Sequence, residues 1–355
     1  MSSPDRDEFR SAGESVWTTT HNREVGTMTD SAVQEDFAPL AEPYRRELLA
    51  HCYRMSGSVH DAEDLVQEVY LKAWRAYEKF EGRSSLRTWL YRIATTTCLT
   101  ALESKGKRPL PTGLGAPSSD PAGELVEQGE VPWLEPIPDA LLGTAASDPA
   151  VVATSRESIR LALIAALQFL PPKQRAVLIL REVLAWPAAE VGELLGISTA
   201  AVNSALQRAR AQIDRAAPAE DAVVEPVAPD QRELLDRYMA AFETYDMAAL
   251  EELFTQDAVW EMPPFVGWYQ GPDAIRTLIE NNCPAQGPGD MKLIPTVSNG
   301  QPAFAMYMRG PDGVYSAFQL QVVSLGPSGI GHVTVFFDVS LFGKFGLPET
   351  LPAGS

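Results

Sequence analysis

The chain has 355 residues, 45% of them hydrophobic, and a formal net charge of −18, so it is too long for one ordinary domain and long enough for several cores. No apolar run approaches the ~20 residues that cross a bilayer, and the N-terminus lacks a basic-then-apolar leader, which excludes a membrane partner and points to the cytoplasm. Cys52, Cys98 and Cys283 are odd in number and without metal-type spacing, so isolated thiols in a reducing compartment are expected, with no metal and no cofactor.

The charge is unevenly spread: −5 over residues 1–36, +3 over 37–108, −7 over 109–150, +3 over 151–217 and −12 from 218 to the end. Two mildly basic blocks among acidic neighbours fit two small nucleic-acid-facing domains joined by an acidic tether and followed by an acidic appendage.

In chain order, residues 1–36 are polar and aperiodic and are expected to be a disordered tail, within which Met28 is an alternative natural start. The 37–108 block is helical. A first helix over 41–55 breaks at Ser56, Gly57 and Ser58. The second carries a stripe of Ala62, Leu65, Val66, Val69, Ala73, Trp74, Tyr77 and Phe80 behind the acidic turn of Asp61, Glu63 and Asp64. A third follows the turn at 81–84, with Leu86, Trp89, Leu90, Ile93, Thr97 and Ala101 as its buried stripe.

Residues 109–150 are rich in proline and glycine, lack Lys and Arg, and show no apolar periodicity, so an extended linker is expected. Helices resume in the 151–217 block: 159–170, stopped by Pro171 and Pro172, then 173–184, then one opened by Pro187. A second linker at 218–229 precedes the 230–347 block, and 348–355 reads as a tail. That block has a long helix from Asp230, a short one ending near Phe254, a helix over 272–282, and strand-like runs at 257–262, 303–309, 314–325 and 330–340, the last three separated by turn signals into a meander. Two small helical domains followed by an α+β domain is the expected fold class.

Gly192, Gly196 and Val202 have the spacing a helix-turn-helix needs: a small residue where the helices cross, glycine at the turn, and an apolar residue seating the second helix. Ser198 is the expected N-cap. Thr199, Ala200, Asn203, Ser204, Gln207 and Arg208 then lie on the outward face, where amides read base edges, while Arg208, Arg210 and Arg215 neutralise phosphates. The competing interpretation is an ordinary antiparallel helix pair with a solvated basic face.

Three stretches, DAEDLVQEVYLKAWR (61–75), FEGRSSLRTWLYRIATTTCL (80–99) and LPPKQRAVLILREVLAWPAAEVGELLGISTAAVNSALQRARAQI (170–213), resemble regions 2 and 4 of extracytoplasmic-function (group IV) RNA polymerase sigma factors. DAVWEMPPFVGWYQGPDAI (257–275) is similar to the SnoaL-like, cone-shaped α+β fold. The resemblance implies a chain that binds core RNA polymerase, reads −10 and −35 promoter DNA and helps to open it. It assigns no anti-sigma protein.

On the second helix, Asp61, Asp64, Gln67, Glu68 and Leu71 lie opposite the stripe. An acidic face with one apolar anchor suits an arginine-rich helix, and the resemblance makes that partner the coiled coil of the polymerase's largest subunit, with Leu65 and Val66 in the same patch. The helix dipole and solvation alone account for Asp61 and Glu63. The third helix offers Arg83, Arg87, Tyr91, Arg92, Thr95 and Thr96 as a basic, aromatic and hydroxyl surface for separated promoter bases. There Trp89 is expected in the core and Tyr91 as the stacking ring. Relatives commonly place an amide near Thr96 and basic residues where Asn203 and Ala205 stand. The first departure leaves the preferred −10 base open, and the second implies weaker, less salt-steep −35 binding. The resemblance sends the acidic linker through the polymerase RNA channel, the alternative being a plain tether. Trp133, Leu134 and Ile137 suggest a docking point on it.

In the last domain, alternation puts His332, Thr334, Phe336 and Asp338 on one face of a strand and Val333, Val335, Phe337 and Val339 on the other. Trp260, Met262, Phe265, Trp268 and Tyr269 supply an aromatic wall for a pocket. His332 and Asp338 stand as an acid/base pair or as satisfied polar groups. Six residues of extended strand put them roughly 20 Å apart, which favours the second. The expectation is an initiation factor, not an enzyme, whose C-terminal domain touches the rest of the chain and adjusts its activity. A stand-alone helix-turn-helix regulator with a ligand-sensing tail and an enzyme with a DNA-binding appendage are the alternatives.

Overall fold

The computed structural model describes residues 37–104, 106–142, 158–216 and 229–353; the expected N-terminal tail and nearly all of the 218–229 linker lie outside them. The first block is a helical bundle of α1 (Phe37–Ala41), α2 (Arg45–Ser56), α3 (Val59–Ala76) and α4 (Leu86–Leu102). Gly57 ends α2 at φ 73°, a left-handed position that suits glycine, and Ser58 caps α3 by accepting the Asp61 N–H at 3.1 Å. Ser85 does the same for α4 with the Thr88 N–H.

Within α3 the buried set is Val59, Ala62, Leu65, Val66, Val69 and Ala73. Trp74, expected in this stripe, is 40% exposed, because Ala73 takes the inward position and the next residue turns about 100° away. The buried arc of α4 is wider than expected, comprising Leu90, Tyr91, Ala94, Thr95, Thr97 and Cys98. A second helical block packs on it: the Trp186 ring meets Tyr91 edge-on at 6.4 Å. Two of the cysteines are not isolated, since Sγ of Cys52 and Cys98 lie 3.7 Å apart in this core.

That second block holds α5 (Leu161–Gln168), α6 (Pro172–Leu178) with a wider turn continuing over Ile179–Val183, α7 (Ala188–Leu195) and α8 (Thr199–Ala216). Of the expected extended linker at 109–150, residues 143–150 lie outside the described residues, and 109–142 have short turns rather than long helices or strands, yet they are packed. Leu134 and Ile137 are fully buried and Leu110 nearly so, which places the expected docking point and leaves Trp133 half-buried. Apolar residues that bury singly between prolines carry no period for the eye to find.

The C-terminal domain has α9 (Pro229–Glu243), α10 (Met247–Glu251) and α11 (Pro272–Asn282) against a sheet of β1 (Phe254–Glu261), β2 (Trp268–Gln270), β3 (Met291–Ser298), β4 (Gln301–Arg309), β5 (Tyr315–Gly326) and β6 (Gly329–Phe336), in the order β2-β1-β6-β5-β4-β3. A short α12 (Ser340–Lys344) and β7 (Thr350–Leu351), which pairs with β5, complete it. The β4–β5–β6 meander is antiparallel and β1 joins β6 in parallel. Strand β3 was not anticipated, since Pro295 interrupts its run. The proline is tolerated because β3 lies at the sheet edge.

Period-2 alternation splits the sheet between two cores. From β4, Phe304 and Met306 point into the cone with Trp260, Leu278 and Val333, while Ala303, Ala305 and Tyr307 join one continuous core with the helical blocks. The sheet's outer face is therefore an interface with the rest of the chain.

Candidate polymerase and nucleic-acid surfaces

The exposed face of α3 presents Asp64, Gln67, Glu68 and Leu71, the last 53% exposed, with Trp74 beside them as a second apolar group. Leu65 and Val66 are 5% and 1% exposed, so they support this face from inside and are not part of it. Asp61 is also engaged, by Arg108 at 2.7 Å, and Glu68 pairs with Lys72 one turn on.

On α4, the two aromatic expectations are reversed. Tyr91 is 2% exposed, its ring between His51 and Trp186 and its hydroxyl donating to Glu47 at 3.3 Å, and burial pushes its pKa up. Trp89 is the half-buried ring, 4.9 Å from Phe80. The sequence misled because packing of the second helical block converts the Tyr91 face into core. Thr95 is fully buried, bonded to His51 and to the Tyr91 carbonyl. Thr96 is exposed, its hydroxyl donating back to the helix carbonyls of Arg92 and Ile93. Arg87 grips Glu47 through two nitrogens and lies 5.0 Å over the Tyr91 ring. Arg92 reaches Glu193 of α7 at 2.9 Å, whereas Arg83 is exposed with Glu81 at 3.0 Å.

The helix-turn-helix geometry follows its glycines. A Cβ on Gly192 would lie 2.7 Å from the Ile197 carbonyl, so α7 and the turn approach as only glycine permits, and Gly196 has φ +65°. Val202 is fully buried and the Ser198 hydroxyl accepts the Ala201 N–H. Thr199, Ala200, Asn203, Ser204, Gln207, Arg208 and Arg210 are all exposed on α8; of these, Arg210 is paired with Glu182 at 2.6 Å. Ala205, by contrast, is buried at 7%.

Of the expected wall and polar pair, Trp260, Met262 and Phe265 meet at the cone cavity, and Trp268, Tyr269, His332 and Asp338 do not. Trp260 lines the cone cavity, but Tyr269 is buried outside its lining and Trp268 donates to the Ala116 carbonyl of the inter-block segment. Asp338 is exposed and caps Ser340. His332 faces away from the cavity on the outer side of β6, 2.8 Å from the fully buried Glu261, whose other oxygen accepts the Thr112 N–H at 3.0 Å. Burial raises the Glu261 pKa, but the His332 bond, the His332 charge and the Thr112 N–H outweigh it and hold the carboxyl below its usual range. Strand register explains the pairing: His332 lies opposite Val259 and Thr334 opposite Glu261. Only the parallel β1–β6 partnership, which a single sequence does not disclose, could have revealed it.

A polar hub at the β3–β4 turn was missed altogether. Asn299, fully buried, donates to the Tyr53 hydroxyl at 2.8 Å and to the Ile159 carbonyl at 2.6 Å, and its Oδ1 accepts the Ile137 N–H at 3.0 Å. Gln301 accepts the Leu161 N–H, and Gly300 N–H donates to Asp139. Four parts of the chain therefore converge on one turn. Arg54 of α2 adds bonds to Ser158, and Arg175 of α6 donates to the Met55 carbonyl.

Two helical blocks, one with a helix-turn-helix, on the outer face of a cone-shaped α+β domain define a transcription factor of the sigma-70 class with an appended domain. Residues 40–108 match Sigma-70 region 2, residues 160–213 match Sigma-70 region 4, and residues 235–330 match the SnoaL-like domain. The chain is 61% identical over 317 residues, 89% of its length and 85% of the relative's, to the ECF RNA polymerase sigma factor SigG of Mycobacterium tuberculosis. It is 28% identical to SigJ of the same organism over 86% of this chain and 91% of that one. The SigJ crystal structure superimposes with a TM-score of 0.58 at 24% identity, covering 87% of this chain and 99% of that one, which supports the shared fold. This chain belongs to the ECF RNA polymerase sigma factors, which bind core polymerase and promoter DNA. No helix among the described residues is long and apolar enough to cross a membrane.

Proposed function

We propose that this sigma factor docks core polymerase through Asp64, Gln67, Glu68 and Leu71 of α3. Arg83, Trp89, Arg92 and Thr96 meet the −10 region, and Asn203, Ser204, Gln207 and Arg208 of α8 read the −35 element. We further propose that the conformation described is a closed one, held by the C-terminal domain. The observation that carries this is Asn299, whose one side chain bonds region 2 at Tyr53, the inter-region segment at Ile137 and the region 4 block at Ile159. Separate engagement of −10 and −35 DNA requires the two regions to move apart, and a shared polar hub opposes that. The domain acts by contact rather than catalysis: Thr112 closes the Glu261–His332 pair against the segment. Work on polymerase places the protein in the cytoplasm.

Reconstituted initiation with core polymerase tests both parts. Asn299→Gly keeps the positive φ of 57° available while deleting the hub, and initiation is expected to rise severalfold. The pair Asp64→Arg with Leu71→Glu is expected to abolish core binding without unfolding the chain, since both side chains face solvent. An unchanged rate with Asn299→Gly would refute the closed-state reading, and core co-purification of the double variant at wild-type yield would refute the docking face.

A further inference from the structure

Outside the cone, a crevice of about 500 Å³ opens where the inter-region segment crosses the C-terminal domain. One side comes from two stretches of that domain, Pro263 to Phe265 after β1 and Phe336 to Asp338 at the end of β6, and the other from the segment between Glu127 and Glu135. Backbone ties the sides together: Gln128 N–H donates to the Pro264 carbonyl at 2.9 Å, Val266 N–H to the Val126 carbonyl at 3.0 Å, and Glu127 bridges Phe265 in antiparallel register. The crevice therefore keeps its shape while the segment lies against the domain. Its volume falls within the ~300–1,000 Å³ of ligand clefts, and it shares their make-up, proline and aromatic walls with a few charged groups at a junction between domains.

The charged groups in the lining decide what it takes. Arg108 is engaged within the protein: it holds Asp61 at 2.7 Å, donates to the Trp133 carbonyl at 2.8 Å and has Glu135 at 3.6 Å. Glu135 in turn accepts the Ser58 hydroxyl at 2.6 Å and stands 2.9 Å from His60 Nδ1. The other two carboxylates keep acceptor capacity. Among the described residues Asp338 engages only Oδ1, on the Ser340 N–H and hydroxyl, and the Glu127 carboxylate has neither a hydrogen bond nor an ion pair. An anionic guest would meet these two carboxylates with no free cation in the lining, whereas a cationic guest is attracted by both. The Trp133 indole N–H donates to the Gln128 carbonyl at 2.9 Å, which fixes that ring in the wall, and Phe265 and Phe337 meet edge to face at 5.4 Å. Aromatic rings attract an ammonium or guanidinium group over their faces, so walls and carboxylates select the same charge.

We infer that this crevice binds a small organic cation, an amine or guanidine carried on one or two aromatic rings, between the inter-region segment and the C-terminal domain. The site rests on the segment lying against the domain and not on that conformation being inactive: if Asn299→Gly leaves initiation unchanged, the closed-state reading fails and the crevice stands. Calorimetric titration of the full chain with 1-naphthylmethylamine, a cation at neutral pH, tests it, with 1-naphthylmethanol as the neutral match and 1-naphthoate as the anionic one. One site per chain is expected for the amine, with the alcohol about tenfold weaker and the carboxylate weaker still. Glu127→Gln should weaken the amine about fivefold and leave the alcohol unchanged. Asp338→Asn, whose amide oxygen still caps Ser340, should act in the same direction. Gly129→Trp should abolish binding of amine and alcohol alike with the melting temperature unchanged, because a Cβ on Gly129 would lie 3.9 Å from the Glu127 carboxylate with nothing nearer, so the added ring fills the crevice without moving backbone. No amine binding to the native chain, equal affinity for amine and alcohol, an amine affinity unchanged when Glu127→Gln and Asp338→Asn are combined, or full affinity in Gly129→Trp would overturn the assignment.

Discussion

The two surfaces proposed above to meet promoter DNA are in different states. On α8 the side chains from Thr199 to Arg208 that face outward are exposed, and only Arg210 beyond them is tied to a carboxylate. On α4 the corresponding surface is largely consumed: Tyr91 and Thr95 are core, Arg87 is held by Glu47, and Arg92 reaches across to Glu193 of region 4. The difference teaches that region 4 folds with its proposed reading face exposed, whereas region 2 commits much of its proposed face to packing and to the contact between regions. Four tests break or sharpen that contrast.

The largest effect should come from Gly192→Leu. Its Cβ would meet the Ile197 carbonyl at 2.7 Å, and backbone cannot yield as a flexible side chain does. The helix crossing should open at a cost of about 3 kcal/mol, the upper end for overpacking. Binding to −35 duplex should be lost while core-polymerase binding through α3 persists, which gel-shift and co-purification assays would separate. Retention of wild-type −35 affinity would show that the close crossing does not position α8.

Next in size is a pH effect confined to region 2. His51 is fully buried, bonded through Nε2 to Thr95 at 3.1 Å and with Nδ1 unpartnered among the described residues. Burial, and then the nearby Arg54 charge, lower its pKa to about 3. The unfolded chain, at the ordinary histidine value of 6.5, binds the proton first, so stability is full above that value and is lost as pH falls from there towards the folded pKa. At about 1.4 kcal/mol per pH unit, the loss between pH 7 and 5 is about 2 kcal/mol. The 158–216 block contains no histidine, so hydrogen exchange should quicken in α2 and α4 and not in α8. His51→Gln should flatten the profile, and a profile equally steep in that variant would remove His51 as its cause.

What was legible follows from how each feature is encoded. The helix-turn-helix was read correctly down to its cap because Gly192, Gly196, Ser198 and Val202 act within some ten residues, where spacing maps directly onto geometry. The β4–β6 meander was legible for the same reason. Long-range consequences were legible only in part: Tyr91 became core where Trp186 of region 4 meets it, and Leu134 and Ile137 were expected to dock while their partners far along the chain were not. Glu261, His332 and Asn299 gain their roles from strand register and a turn's position, neither of which leaves a local signature. The aromatic wall was a sound guess at a cavity: Trp260, Met262 and Phe265 line it, while Trp268 and Tyr269 do not.

A smaller effect should divide labour within α8 itself. Arg208 is exposed and makes no ion pair among the described residues, and on the proposed reading it meets a phosphate, so Arg208→Ala should weaken all sequences alike and reduce the salt slope by about one. Asn203→Ala should leave the slope unchanged and relax preference at one −35 position, at about 1–3 kcal/mol of discrimination. Binding to a randomised −35 library at several salt concentrations reads both at once, and identical profiles for the two variants would sink the division.

The smallest effect tests whether region 2 can be released by a single charge. The Arg92–Glu193 contact spans α4 and α7, and Glu193, whose side chain is 68% exposed, has its pKa lowered by the hydrogen bond and charge of Arg92. An exposed pair of this kind is weak and screened by salt, so Glu193→Gln should leave the fold and the Asn299 hub intact. It should nonetheless free a cation on the −10 face, raising affinity for a forked −10 DNA a few-fold at low salt and hardly at all near 0.5 M, where the Debye length is roughly 4 Å. If the gain comes from Arg92 itself, it should vanish when Arg92→Ala is added, leaving the double variant equal to Arg92→Ala alone. A gain that survives in the double variant would instead mean that loss of the carboxylate loosens the contact between regions, and no gain at any salt would mean that α4 is silenced by Tyr91 packing rather than by this pair.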